Sequence, residues 1–447
     1  MATSSGPGSP SQPRKLIKGG TVLTMDPAIP DLEIGDVLID NDVIAAVGPD
    51  LDSQAAGAEV IDATGMIVMP GFVNTHMHMY HGLLRGLVAD DLFDTYVDVV
   101  TIGERSLDAG HGPEEMRLGV LIAALAQISA GVTTTIDTSH LQKTPEHRDA
   151  LIAGLRDSGL RAVFTYWGGL FQWDDWDDLD RVRSQYFSSG DQLLTLALGG
   201  GSPDVQVWRE ARRRELDIVA HTRGDEGAAA IRRAHEESLL GPHATYIHCT
   251  HFPDDVFEII RDTGGSVSIA PAIEMEMGQG LPPIQQSLDH SIQPSLSSDV
   301  ETNMTGDMFS VMRAGFISQR HEINNRLHAG ETGVPPLVTT RDMLQMATTA
   351  GARAARLESK VGSLTPGKQA DIVVLDAQAI NAFPLNAAPQ SVVTLMDTSN
   401  VRHVLIAGTA RKWDGKLVGV DLPTLAAQAQ AARDRVFERC GRKVRLV

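Results

Sequence analysis

His76 and His78 stand two residues apart in the stretch Pro70-Gly-Phe-Val-Asn-Thr-His-Met-His78, straight after the apolar run Met66–Pro70. Residues two apart on a β-strand project to the same side, so two imidazoles at a strand end can share one metal ion. An isolated His-x-His is a weak signal. Here it is followed by His221, His248 and Asp299, each at the end of an apolar, strand-like run. Three imidazoles and a carboxylate are the ligand types of a zinc or iron(II) centre that keeps a position open for water. Such an ion lowers the pKa of its water to near neutrality and supplies hydroxide as nucleophile. Metal-assisted hydrolysis is therefore the chemistry these residues could do.

The elements that must position them alternate along the middle of the chain, about residues 71–365. Strands are predicted before His76 and over 132–137, 161–166, 193–198, 218–221, 245–248, 266–270 and 293–297. Helical stretches such as 114–130, 204–214, 227–237 and 253–262 lie between them. Eight such units imply an α/β fold, a parallel (β/α)8 TIM barrel whose active site lies at the C-terminal strand ends. His76 and His78 then end the first strand, His221 the fifth and His248 the sixth, and Asp299 follows the eighth. An open doubly wound sheet would carry a Gly-rich nucleotide loop after its first strand, where this chain has histidines. Gly199-Gly200-Gly201 reads as a tight turn after the fourth strand.

Both ends of the chain read as short strands punctuated by Gly, Pro and Asp. Residues 15–70 offer five, and 366–447 offer strands at 371–375, 392–394, 401–407 and 409–412 followed by a C-terminal helix. Neither block has enough apolar area alone, so one small β-sandwich built from both chain ends is expected. Residues 1–14, rich in Ser, Gly and Pro, read as a disordered tail.

The 447 residues carry a formal charge of −19, which argues against nucleic acid or an anionic membrane as partner. The two cysteines, Cys249 and Cys440, cannot form a cysteine-rich zinc site or a disulfide framework. No apolar run is long enough to span a membrane, and a cytoplasmic enzyme with a small-molecule substrate is expected.

The set His76-x-His78, His81-Gly-Leu-Leu-Arg85-Gly, His221, His248-Cys-Thr-His251, Ser298-Asp299 and the closing Gly362-Ser-Leu-Thr-Pro-Gly-Lys-Gln-Ala-Asp-Ile-Val-Val-Leu375 resembles the amidohydrolase superfamily. Within it, the chain is most similar to the branch of S-adenosylhomocysteine, guanine and cytosine deaminases and triazine chlorohydrolases. The resemblance covers roughly residues 15–420. It implies His76, His78, His221 and Asp299 as metal ligands. It also implies that His248 polarises the substrate or joins the coordination, and that Asp299 takes a proton from the attacking water. Binuclear relatives bridge two ions through a barrel lysine or glutamate. Between Gly131 and Gly330 the one lysine is Lys143, beyond the second strand, which favours a single divalent ion. Zn2+ is the first expectation, with Fe2+ and Mn2+ also compatible, and a homo-oligomer is expected by the same resemblance.

The pattern breaks after the fifth strand. Deaminases of this branch carry His-x-x-Glu there, and the glutamate shuttles protons. This chain has His221-Thr-Arg-Gly224-Asp225-Glu226. A general acid or base must be titratable and within hydrogen-bond reach, so Gly224 cannot serve. Asp225 or Glu226 could swing in, or Glu274 or Glu276 after the seventh strand could supply the proton. Otherwise Asp299 and His248 act alone, which suits a better leaving group than ammonia. Arg223 could bind a substrate carboxylate or oxidised ring, or pair with a neighbouring acid. Trp167, with Tyr166, Phe171, Trp173 and Trp176, follows the third strand, and with Tyr80 could wall a pocket for a flat ring. The expected function is a mononuclear, deaminase-like hydrolase of a C–N bond in a cyclic or heteroaromatic substrate. The alternatives are a hydrolase of the same fold that displaces chloride or opens an amide or urea-like ring, and a non-hydrolytic lyase or metal-binding relative.

Overall fold

The computed structural model describes residues 14–167, 175–201, 205–444 and 446. The expected tail, apart from Arg14, lies outside the described residues, as do Phe171, Trp173 and Asp204.

The chain opens with β1 (Lys15–Val22), β2 (Leu32–Asp40), β3 (Val43–Gly48), β4 (Glu59–Asp62) and β5 (Met66–Pro70). β1 changes partner midway: Lys15–Lys18 pair with β4, whereas Thr21 and Val22 pair with β5. The change falls at Gly19 and Gly20, where the register against β2 shifts and Gly19 takes φ +75°. A side chain at Gly20 would press on Val68 and Ala63, so this pair of glycines is what lets one strand serve two neighbours.

The barrel follows as β6 (Phe72–Met77), β7 (Val132–Asp137), β8 (Arg161–Tyr166), β9 (Leu194–Gly201), β10 (Asp217–Thr222), β11 (Ala244–His248), β12 (Ser266–Ile269) and β13 (Ser295–Leu296). All seven neighbouring pairs are parallel. β13 meets β6 through a bridge of Met77 to Asp299 and the bond Asp299 N→His76 O of 3.0 Å, which brings the sheet round on itself. Parallel strands covered on both faces are buried throughout, and β6, β7, β8, β11 and β12 are buried at every position, the polar Asn74, Thr75, Thr133, Thr134, Thr135 and Ser268 among them. Val73, Ile136, Val163, Ala197, Val219 and Ile247, one from each of six strands, pack with Leu357 and Val361 into a core of their own. The helices Pro113–Ser129, Pro145–Ser158, Val205–Arg214, Gly224–Glu236 and Asp254–Thr263 follow their strands in alternation.

The chain ends in β14 (Ile372–Asp376), β15 (Val401–Ile406), β16 (Thr409–Trp413), β17 (Lys416–Leu417) and the helix Leu422–Arg439. These strands hydrogen-bond with those of the N-terminal block into a single nine-stranded sheet through the β14–β5 pair. Ile17, Val37, Ile44 and Ile61 share one buried cluster with Ile372, Val374 and Leu405, so strands from both chain ends bury one core.

The seam between this sheet and the barrel is held by polar groups with defined partners. Arg161, opening β8, donates through Nε and Nη2 to the two carboxylate oxygens of Asp371 at 2.9 Å each. Asp371 also accepts the amide of Ala407. Lys412 donates to Ser129 O at 2.6 Å, at the end of the first barrel helix.

Three sequence expectations are corrected. The run Met66–Pro70 belongs to the terminal sheet, and the strand bearing His76 is the separate β6. The break falls at Pro70-Gly71, where a side chain on Gly71 would collide with Thr133. Residues 392–394, expected as a strand, lie in the helix Ala388–Thr394, which a proline in its first turn opens and whose valines Val392 and Val393 are buried. Gly199-Gly200-Gly201 is not a turn but the end of β9, because the indole of Trp167 fills the space that a side chain on Gly199 would need. No helix among the described residues is long and apolar enough to cross a membrane.

Candidate metal centre

The barrel mouth gathers residues from the ends of four strands. Between Asn74 and Met77, β6 shifts register against β7, a local irregularity that re-aims side chains at the rim. His76 lies in that shift. Its Nε2 is 2.9 Å from Asp299 Oδ1 and 3.2 Å from His221 Nε2, and its Nδ1 meets Thr138 Oγ1 at 2.6 Å. His78 Nε2 is 3.6 Å from the same Asp299 oxygen. His248 Nε2 is 3.8 Å from the other, Asp299 Oδ2. The triads His76–His78–His221 and His76–His248–Asp299 each bring their ligand atoms within 4.8 Å of one another.

The protonation states suit coordination. Burial, with the neighbouring imidazoles, lowers His78 and His221 well below the usual histidine value. Burial also lowers His76, although Asp299 opposes the shift. Burial pushes the Asp299 carboxyl up, but the charge and hydrogen bond of His76 and the charge of His248 outweigh it, and the group stays below the ordinary carboxylate value. Neutral imidazoles beside an ionised carboxylate are the forms that bind a metal ion. Two buried imidazole nitrogens facing each other across 3.2 Å, with His221 Nδ1 lacking a partner among the described residues, form a donor set arranged for an ion.

His248 differs from the other three. Its Nδ1 lies 3.1 Å from Glu274 Oε1, and Glu274 is fully buried. Burial opposes charge on His248, but the Glu274 hydrogen bond and the charges of Asp299 and Glu274 overcome this and raise the imidazole above its usual value. Glu274 also accepts the amide of Ala270, and burial raises its carboxyl against the pull of His248. His248 and Asp299 have φ of +69° and +60°. Left-handed backbone at non-glycine residues is held at a cost, and such outliers concentrate at functional sites.

A cavity of about 250 Å³ opens on this cluster. His78, His221, His248 and Asp299 line it together with Phe93, Tyr96, Val97, Trp167 and Met277. Phe93, Tyr96 and Val97 come from the segment after the first strand, where the short helix Phe93–Tyr96 brings two of them to the cavity wall.

Of the residues singled out from sequence, the structure brings His76, His78, His221, His248, Asp299, Glu274 and Trp167 to this place. Tyr80 is buried behind it, its hydroxyl donating to Asp108 Oδ2 at 2.9 Å. Arg223 stacks over Phe93, with 3.7 Å to the ring centroid, donates to Gln279 and faces a neighbouring cavity. Asp225 and Glu226 are exposed in the first turn of the helix Gly224–Glu236, away from the histidines. Glu276 accepts Asn303 Nδ2 at 3.3 Å and lines neither cavity. Arg85 anchors its segment by donating to Glu301. Lys143 donates to Asp108 O. His81 is fully buried, 3.9 Å from Asp108.

Sequence reasoning missed His140 and Asp108. His140 Nδ1 sits 3.0 Å from His78 Nδ1, and its Nε2 faces Tyr80 and Asp108. Its position just past β7 was the available signal, because barrel sites draw on every strand end. Asp108 comes from the short helix Leu107–Gly110, between the first strand and the first long barrel helix, with no such signal.

The model of the Amidohydrolase family matches residues 67–193 and 205–417. A 5'-deoxyadenosine deaminase of Methanosarcina mazei is 27% identical over 95% of this chain and 98% of its own length. A 5-methylthioadenosine/S-adenosylhomocysteine deaminase of Nitratidesulfovibrio vulgaris is 28% identical over 96% and 98%. Among solved structures, an adenosine deaminase from Xanthomonas campestris with bound zinc superposes with a TM-score of 0.82 at 23% identity, covering 94% of this chain and 98% of that one. Atrazine chlorohydrolase from Arthrobacter aurescens, complexed with zinc, gives 0.81 at 22% identity over 94% and 100%. The chain belongs to the amidohydrolase family.

Proposed function

We propose that this protein is a mononuclear metal-dependent hydrolase that removes an amine from a heteroaromatic ring. The carrying observation is the convergence of the neutral imidazoles of His76, His78 and His221 with Asp299, where His78, His221 and Asp299 line an aromatic-walled cavity. His76, His78, His221 and Asp299 would hold one divalent ion, zinc by its preference for histidine nitrogen with one carboxylate. A single ion is supported by the end of β9, the fourth barrel strand, whose glycines Gly199–Gly201 offer no bridging ligand. When bound, the ion acts as a Lewis acid that brings the pKa of a water near neutrality.

The chain's own residues supply the rest. Asp299, an ionised carboxylate, accepts a proton from the attacking water. Glu274 holds His248 Nδ1, which leaves Nε2 facing Asp299 and the cavity to donate to the ring or the departing amine. This dyad takes the place of the glutamate absent at Gly224, because a carboxylate behind an imidazole fixes its orientation and stabilises its charged form. Trp167, Phe93 and Tyr96 offer faces and edges to a flat ring and keep water out.

The names of the deaminase relatives support an aminopurine as first substrate to try. The test is product analysis by mass spectrometry with zinc-loaded protein and a panel of amino- and chloro-substituted purines, pyrimidines and triazines. Exchange of NH2 for OH with ammonia release is expected. Exchange of chloride alone would replace this reading by the second one, which the lack of a carboxylate at Gly224 favours.

A further inference from the structure

The two histidines of the His76-x-His78 pair are oriented from outside the ligand cluster, and by different means. His76 Nδ1 meets Thr138 Oγ1 at 2.6 Å, and that hydroxyl donates its own proton to Met77 O at 3.2 Å. The hydroxyl oxygen therefore accepts from His76 Nδ1, which leaves the lone pair of Nε2 facing His221 and Asp299. An oxygen behind the ring is the ordinary way to fix the tautomer of a ligating imidazole. At His78 no oxygen takes that place among the described residues. Its Nδ1 faces His140 Nδ1 at 3.0 Å, and of two such nitrogens one must bear the proton and the other the lone pair. The surroundings of His140 decide which. Its Nε2 lies 3.0 Å from Tyr80 Oη and 3.3 Å from Asp108 Oδ2, and Tyr80 donates its proton to that same carboxylate oxygen at 2.9 Å. Both neighbours of Nε2 thus present oxygen lone pairs, so Nε2 carries a proton. With one proton on the ring, His140 Nδ1 is an acceptor and His78 Nδ1 must donate to it. Tyr80 and Asp108 are buried, which shields these bonds from solvent. Thr138 and His140 stand two apart in the loop after β7, which Asp137 pins by accepting the amide of Ser139 at 2.9 Å, so one loop serves both histidines of the pair.

We propose that His140, held by Asp108 and Tyr80, is a positioning residue that fixes the proton of His78 on Nδ1 and so frees His78 Nε2 for the metal ion. This rests on the reading of His78 as a ligand and not on the identity of the substrate. A threonine oxygen always has a lone pair to offer, whereas an imidazole nitrogen offers one only when the proton sits on its other nitrogen. The carboxylate and the phenol behind His140 supply that condition. Were His140 to turn a proton toward His78, the proton of His78 would move to Nε2, the nitrogen 3.6 Å from Asp299 Oδ1, and the ligand would be lost.

The test reads proton positions by NMR in the unmutated, zinc-loaded full chain labelled with nitrogen-15 at histidine. His78 is expected to be protonated at Nδ1 and His140 at Nε2, with a nitrogen–nitrogen coupling between the two Nδ1 atoms across their hydrogen bond. A proton on His140 Nδ1, or zinc bound through His78 Nδ1, would overturn the proposal. Two variants add a second readout, the zinc dissociation constant measured by competition with a chelator, which needs no turnover. His140→Leu, which offers no acceptor, should weaken zinc binding by about ten- to a hundredfold. His140→Asn, whose amide oxygen can stand near the place of Nδ1, should recover most of that loss. A role in packing alone would not be rescued in this way. Unchanged affinity in His140→Leu, or equal loss in the two variants, would also overturn the proposal. Circular dichroism checks each fold, and where a variant does not fold the proton positions in the parent decide. A parent that binds no zinc would refute the metal-site reading and take this inference with it. Zinc held while His140 keeps its proton on Nδ1 would refute this inference alone.

Discussion

Buried polar groups occupy two regions of this molecule, and they are satisfied in opposite ways. At the seam between the terminal sheet and the barrel, Arg161 meets both oxygens of Asp371, Asp371 takes a further backbone amide, and Lys412 meets a helix-end carbonyl. Each group has a partner of the opposite kind. At the mouth, His76, His78 and His221 meet mainly one another and a single carboxylate, on backbone that includes left-handed φ at His248 and Asp299. Imidazoles that lower one another's pKa are poor neighbours in a folded protein without an ion. The seam is built for stability, and the mouth spends stability on a binding site.

The sharpest way to break this contrast is to remove one group from each side. His76→Ala should lower kcat/KM by about a thousandfold or more, roughly 4 kcal/mol of barrier, with loss of bound metal. Elemental analysis and kinetics check this. The metal-free variant should unfold no earlier than the metal-free parent, because a desolvated imidazole among others has been removed. Arg161→Met should do the reverse. It leaves Asp371 buried and uncompensated, which costs about 3–5 kcal/mol in denaturant unfolding. The kcat of the folded fraction should stay unchanged.

Glu274→Gln separates the two roles within the mouth. The side chain keeps its size but loses the charge that raises His248. A loss of about a hundredfold in kcat is expected. The pH dependence has a definite sign. A histidine whose folded pKa is raised stays protonated above its usual value of about 6.5, and its stabilising charge is lost as pH rises through the folded pKa. In the variant that loss comes earlier, so the alkaline limb of kcat/KM should move to lower pH. An unmoved limb would remove Glu274 from the proton pathway.

The contrast between mouth and seam was only half legible in the sequence. β7 and β8 span the same residues, Val132–Asp137 and Arg161–Tyr166, that the sequence pattern picks out, because β-branched and aromatic residues fill them and turn residues bound them. His76, His78, His221, His248 and Asp299 stood out because each follows or ends such a run. Glu274 was one of four candidate acids, and sequence could not separate it from Glu276, two residues on in the same short helix. The helix turns Glu274 into the core and Glu276 outward, toward Asn303. Asp108 and the Arg161–Asp371 pair were invisible, since their partners lie 32 and 210 residues away and no periodicity marks a long-range pair. Residues 392–394 misled because β-branched residues favour strands only when a sheet partner exists.

Lys412 allows the smallest and most specific test at the seam. Burial lowers its pKa to about 8, well under its value of about 10.4 in an unfolded chain. Below about pH 8 the amine is protonated in both states, so the full cost of burying its charge is present and stability does not change with pH on its account. Between about pH 8 and 10.4 the unfolded chain holds a proton that the folded one has released, so this group makes stability rise with pH. In Lys412→Met that rise is gone. The variant loses one hydrogen bond to Ser129 O, worth about 1 kcal/mol, and gains relief from the buried charge. Its stability relative to the parent should therefore be most favourable near pH 7 and fall steadily by pH 10, as read from denaturation midpoints across that range. A difference that does not vary with pH would mean that Lys412 keeps its proton in the folded protein and that Ser129 O compensates its charge. In that case the seam would match its partners even more completely than the contrast with the mouth requires.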